Sequence, residues 1–148
     1  MHPRLNKVIT DLENSSQENL VIPYQKNFKD AKGETIGNNT FGLRQEGGSN
    51  TKIHLRFDDK TRSDECGRPE SDQEMVAHEL WHAWSFNNLY GDYLDQANPA
   101  TGIDRDEEWA VRFQNLVPNT DGGRKVYGTK DGSGTVQNVP QPDYFKKH

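Results

Sequence analysis

Apolar side chains are scarce in this sequence, and they are not spread evenly. Trp81, Trp84, Phe86, Tyr90, Tyr93, Trp109 and Phe113 all fall on or beside two segments. A chain folds around what it can bury, so any core must join those two segments. Leu, Ile, Val and Phe supply 28 of the 148 residues, just under the ~20% level below which disorder becomes a real alternative. The large net charge that accompanies disorder is missing, since 18 basic residues face 23 acidic ones and leave −5. A large oily core is therefore excluded, whereas a small one with long polar loops is not. For such a chain a metal, a cofactor or a partner is expected to assist folding.

Periodicity places the elements. Leu5, Val8, Ile9 and Leu12 recur at helical spacing over residues 3–14, predicting a short amphipathic helix laid on the core as a flap. Residues 15–39 read as polar loop with one apolar patch at Leu20–Ile22. Phe41 and Leu43 alternate with polar neighbours, as do Ile53, Leu55 and Phe57, and Glu46-Gly47-Gly48-Ser49-Asn50 between them has turn composition, so a β-hairpin is expected. Residues 58–74 hold seven acidic and three basic side chains and read mainly as a solvated face. Ser71-Asp72-Gln73-Glu74 is a capping box. It opens a helix through Met75, Val76, Leu80, Trp84 and Phe86 that Gly91 stops. A further helix begins at Thr101 or Asp104, carries Ala110, Phe113, Leu116 and Val117, and ends at Pro118. After Val117 the anchors are few (Val126, Tyr127, Val136). The expected class is α+β, a small antiparallel sheet packed on two helices, in one domain: helix and loop over 1–39, core over 40–128, polar tail over 129–148.

Several function classes drop out. No stretch of ~18 apolar residues exists to cross a membrane, and the opening Met-His-Pro-Arg-Leu-Asn-Lys lacks the apolar run of a secretory signal. The single cysteine, Cys66, excludes an internal disulfide and suits a reducing compartment. A pI near 5.5 without a basic stripe argues against nucleic acid as the main partner.

The chemistry lies in His78-Glu79-Leu80-Trp81-His82. Spacing i, i+4 puts both imidazoles on one helix face, one turn apart, where they can reach one ion. Glu79 stands about 100° round the helix, beside such an ion and suited to act as general base. By composition alone this pattern arises on the order of once in a hundred chains of this size. A hydrolytic zinc takes three protein ligands and keeps one position for water. No histidine follows His82 before His148, so the third ligand is sought among Asp92, Asp95, Asp104, Asp106, Glu107 and Glu108. The two glutamates open a helix that must pack on the first. Glu107 shares its face with Ala110, whose small side chain permits close approach, and is preferred; Glu108 shares its face with Val111 and Arg112. Glu107 also reads as the N3 residue of a capping box begun by Asp104.

These residues resemble the zincin metallopeptidases, in particular those with a glutamate third ligand, and the resemblance implies a minimal zincin-like fold. Glu107-Glu108-Trp109-Ala110-Val111-Arg112-Phe113 is similar to the E-x-x-A-x-x-F run of the ImmA/IrrE peptidases, whose first glutamate binds zinc. Arg124-Lys125-Val126-Tyr127-Gly128 resembles the R-x-x-Y-G ending of the NleD-like effector metallopeptidases that bacteria inject into host cells. The resemblance spans roughly residues 50–128 as three short motifs. It implies Zn²⁺ held by His78, His82 and Glu107, Glu79 as general base, and hydrolysis of a peptide bond in a protein substrate bound in extended form. It also implies a secreted effector or toxin delivered into a target cell, with a delivery protein or a cognate immunity protein as partner. An ImmA/IrrE-like regulator or a non-catalytic module stapled by zinc are the alternatives. Thermolysin-like enzymes carry a supporting aspartate four residues after the ligand glutamate, where this chain has Val111, so a second carboxylate must come from elsewhere.

Tyr127 is expected either to donate to the oxyanion of a scissile carbonyl or to anchor a loose segment, and Arg124 to do the former or to hold a substrate carboxylate. His54 faces away from the core, as an exposed strand residue or as part of a cleft wall. Residues 51–57 are the expected edge for pairing with a peptide. Cys66-Gly67-Arg68-Pro69-Glu70 echoes the cysteine switch of matrix metalloprotease propeptides. It lies so close before His78, across a capped helix, that a plain loop thiol is the expectation.

Overall fold

The computed structural model describes residues 1–24, 29, 31–32, 37–57, 62–63, 68–99, 101–119 and 123–124. Among the described residues, three helices and a three-stranded mixed sheet make a small α+β domain. In chain order they are α1 (Pro3–Glu13), β1 (Asn19–Tyr24), β2 (Asn39–Phe41), β3 (Thr51–Arg56), α2 (Asp72–Asn88) and α3 (Arg105–Gln114).

Helix α2 is the centre. Its start is the expected capping box: Ser71 Oγ accepts from the Glu74 N–H at 3.2 Å, and Glu74 Oε2 accepts from the Ser71 N–H at 2.8 Å. A helix that buries residues all round lies inside a fold rather than on it, and α2 packs on both sides. On one side Ala77, Trp81 and Trp84 meet Leu5 and Val8 of α1 and Trp109, Ala110 and Phe113 of α3. On the other, Met75 and Ala83 meet Ile53 and Leu55 of β3. Trp81 is fully buried, with ring centroids of Trp84, Trp109 and Phe113 at 5.4, 5.8 and 5.7 Å. The scarce apolar residues are thus spent where the two expected helices cross. Helix α1 is part of this core rather than a flap, and Trp84 Nε1 ties to it by donating to Asp11 Oδ2 at 2.8 Å.

The sheet departs from expectation in three ways. The order is β1-β3-β2, with β1 parallel to β3 and β2 antiparallel to it. The expected hairpin exists as β2–β3, but the patch at Leu20–Ile22 forms a parallel strand where loop was read. Parallel pairing puts the apolar patch against a partner far along the chain, so no local turn announces it. Second, β3 is the central strand, so residues 51–57 do not supply an edge; β1 and β2 do. Third, β2 runs in the opposite phase: Thr40 is buried while Phe41 and Leu43 are exposed. The inward place goes to a hydroxyl because a carboxylate of α2 lies opposite it.

The β2–β3 turn is fastened to the end of α2. Ser49 N–H donates to the Phe86 carbonyl at 3.1 Å, and Asn87 Nδ2 donates to the Ser49 carbonyl at 3.0 Å. Asn87 and Asn19 exchange amide hydrogen bonds at 2.9 and 3.0 Å, joining β1 to the same point. The loop before α2 is not simply solvated: Arg62 pairs with Glu70 and Asp72, and Arg68 with Glu74. Helix α3 ends at Gln114, a turn earlier than expected, and Leu116 and Val117 follow in tight turns.

Gly47 and Gly48 both adopt left-handed backbone, at φ 81° and 79°, but a Cβ on Gly48 would lie 2.2 Å from the Asn87 carbonyl oxygen, while one on Gly47 would meet nothing within 4 Å. Gly47→Ala should cost about 1 kcal/mol, and Gly48→Ala clearly more, because backbone must move. Thermal melting of the two variants checks the order; equal losses would contradict the docking of this turn on α2.

Candidate metal centre

Helix α2 delivers His78 and His82 to one face, and the first turn of α3 delivers Glu107 to meet them. The two Nε2 atoms lie 3.2 Å apart. His78 Nε2 is 3.3 Å from Glu107 Oε1, and His82 Nε2 is 3.3 Å from Glu107 Oε2. A cation about 2.0–2.1 Å from each donor in tetrahedral array would space its ligands by ~3.3–3.4 Å. The three donors, two imidazoles and a carboxylate, could therefore hold a metal ion, and their spacing fits one of zinc's size and geometry. Among the described residues the group of potential ligands has these three members, and a cleft of about 260 Å³, lined also by Asn38, Asn39, Glu70, Met75, Glu79 and Arg124, opens beside them.

The opposite ring nitrogens are engaged. His82 Nδ1 donates to Asp106 Oδ2 at 2.8 Å, and His78 Nδ1 lies 3.1 Å from Gln114 Oε1. Asp106 is the supporting carboxylate that the sequence left unassigned. It lies one residue before Glu107 rather than four after it, and it is well buried. Its oxygens also receive Trp81 Nε1 at 3.1 Å and Ser85 Oγ at 2.9 Å, and Arg44 Nη2 pairs with it at 3.1 Å. Burial would raise the Asp106 carboxyl, but its bond to His82, the charges of His82 and Arg44, and Ser85 hold it below the usual range. Arg44, itself nearly buried, also donates to Asp95 at 2.9 Å and Ser85 Oγ at 2.8 Å, beneath the Phe86 ring.

Glu108 is turned away. It accepts from Thr101 and from Asn98 Nδ2 and pairs with Arg112, so it holds the loop before α3. Asp104 caps α3 without a side-chain hydrogen bond, so no capping box claims Glu107. Glu79 is buried beside the group, and Thr40 Oγ1 lies 2.7 Å from its Oε2 and 3.0 Å from its carbonyl oxygen. Arg124 stands on the cleft wall, its guanidinium 3.9 Å from Glu70 and 4.0 Å from Glu107. Tyr127 and Cys66 lie outside the described residues, so their expected roles stay where the sequence left them. His54 faces away from the core as expected, edge-on to Phe41 at 5.2 Å. Asp106, Gln114, Arg44 and Thr40 were missed as site residues. Asp106 was named only among candidate ligands, and nothing in the local pattern marks the other three.

The chain matches no protein-family model, no curated protein and no solved structure. The site is therefore read from its own geometry.

In the metal-free protein burial opposes a charge on His82, but hydrogen bonds to Asp106 and Glu107 and the charges of Asp106 and Glu79 outweigh it, and its pKa is pushed up to about 10. Glu107, raised by burial, is held well below the carboxylate range by the same two imidazoles. A raised His pKa stabilises the fold fully below the unfolded value of ~6.5, and that contribution is lost as pH climbs through about 10. A metal must displace this proton, so zinc affinity should rise with pH across the same window. Calorimetric titration at pH 7 in two buffers of different ionisation enthalpy should show about one proton released per zinc bound; no release would contradict the assignment. Asp106→Asn should weaken zinc binding ~10–100-fold, read by competition with a chromophoric chelator.

Proposed function

We propose that this chain is a zinc-dependent peptidase that hydrolyses a peptide bond in a protein substrate. One observation carries the reading: two imidazole Nε2 atoms and a glutamate carboxylate converge at 3.2–3.3 Å, the spacing of three vertices of a zinc tetrahedron, with a buried glutamate beside them. A bound zinc ion would lower the pKa of a coordinated water toward ~7 and polarise a substrate carbonyl. His78 and His82 would bind it from α2 and Glu107 from α3, while Asp106 keeps His82 in the tautomer that presents Nε2.

Glu79 is the proton carrier. Thr40 fixes one of its oxygens, leaving Oε1 to take the proton of the attacking water and pass it to the departing amine. The substrate would lie along β2, the terminal strand on the side of Glu79, where Asn38 and Asn39 adjoin the cleft. An extended peptide added there gains main-chain hydrogen bonds from a strand edge. Arg124 on the opposite wall would meet charge developing on the carbonyl oxygen or a substrate carboxylate. A zinc staple without catalysis would need a fourth protein ligand, and among the described residues the group has three members beside a cleft, which supports an open position instead. The reading as a delivered effector rests on the likeness of residues 124–128, together with the Glu107-Glu108 pair, the length and the polar loops. Among the described residues no helix is long and apolar enough to cross a membrane.

Glu79→Gln keeps the size of the side chain and removes the base. With zinc loading and folding verified, cleavage of a diverse peptide library followed by mass spectrometry should fall at least ~10²-fold. Cleavage at the parental rate would remove Glu79 from the mechanism.

A further inference from the structure

His78 needs its Nδ1 protonated if Nε2 is to hold a metal, yet its neighbour there is an amide, which can present either an acceptor oxygen or a donor NH₂. Something must choose. Gln114 is fully buried on the last turn of α3, with Oε1 3.1 Å from His78 Nδ1 and Nε2 donating at 2.8 Å to Glu70 Oε1. An ionised carboxylate only accepts, so Glu70 forces the NH₂ of Gln114 toward itself and the oxygen toward His78. Arg124 agrees with that choice, since its Nη1 donates to the same Gln114 oxygen at 3.4 Å. Glu70 is in turn held between two cations, with Arg62 Nε at 3.8 Å and Arg124 Nη1 at 3.9 Å.

The geometry points to Glu70 as a positioning residue that acts through Gln114 to fix the ring and tautomer of His78. This rests on the zinc reading for its purpose but not for its test. The two histidines are thereby served by different devices. His82 is set by a carboxylate within α3's first turn, and His78 by an amide whose orientation is imposed from the loop before α2. Glu70 also lines the cleft, so the loop that carries it links the wall of the site to a ligand.

The experiment uses the full chain and three variants. Glu70→Leu removes the acceptor, Gln114→Met removes the amide at similar volume, and Glu70→Gln retains an acceptor oxygen. Two readouts are taken on each folded protein: the His78 ring tautomer by long-range ¹H–¹⁵N NMR without metal, and the zinc dissociation constant by chelator competition. In the parent the His78 Nδ1 should carry a proton held by Gln114 Oε1. Glu70→Leu and Gln114→Met should each loosen that proton and weaken zinc binding ~10-fold, with Glu70→Gln between them and the parent. An Nδ1 proton held equally well in both disrupting variants would overturn the assignment, as would an unprotonated Nδ1 in the parent. Should one disrupting variant fail to fold, the other carries the test alone. If the parent binds no zinc, the peptidase reading fails while the tautomer measurements still decide the role of Glu70.

Discussion

Taking a carboxylate out of water costs several kcal/mol unless its lone pairs are filled, and Asp106 meets that demand with groups drawn from two other parts of the chain. His82, Trp81 and Ser85 come from α2, Arg44 from the connection between β2 and β3, and Asp106 itself sits in the first turn of α3. Each donor has one geometry in which it can reach, so the satisfied carboxylate fixes the rotation of α3 against α2. Glu107 is the next residue along, and its presentation to both imidazoles follows from where Asp106 is held. Breaking such a buried junction costs more than an exposed ion pair is worth.

The hydrophobic contribution and the polar junction divide the work. Trp81 belongs to both: its ring fills the space between Trp84, Trp109 and Phe113, while its N–H donates to Asp106. Burial brings α2 and α3 together without deciding their register, because the hydrophobic effect is non-directional. The directional bonds of Asp106, and of Gln114 about two turns further along α3, decide it. A chain with so few apolar residues leans on this polar framework, and a cation bridging the helices at the same place would add to it.

What the sequence made legible was the part written in local pattern. The capping box, the facing of His78 and His82, and the companion helix with Glu107 all follow from spacing within one or two turns. So did the two segments that hold the core. The parallel strand β1 was missed because its partner is β3, across the intervening β2, and its own residues lack a turn signal. The phase of β2 was misjudged because an inward Thr40 looks polar until Glu79 is seen opposite it. Arg44, Asp106 and Gln114 were hidden for the same reason: their importance lies in contacts across the chain. Glu107 and Glu108 look alike in sequence, and only the position of Asn98 and Thr101 shows that Glu108 is committed elsewhere.

The central proposal is that three side chains hold one zinc ion and leave it a free position. Zinc-edge X-ray absorption on the metal-loaded protein tests this most directly. The expected result is one zinc per chain with two imidazole nitrogens and two oxygen donors, one from Glu107 and one from water, at about 2.0–2.1 Å. The Glu107→Ala variant should lose an oxygen from that shell. A shell containing sulfur or a third imidazole, or a protein that retains no zinc, would contradict the account.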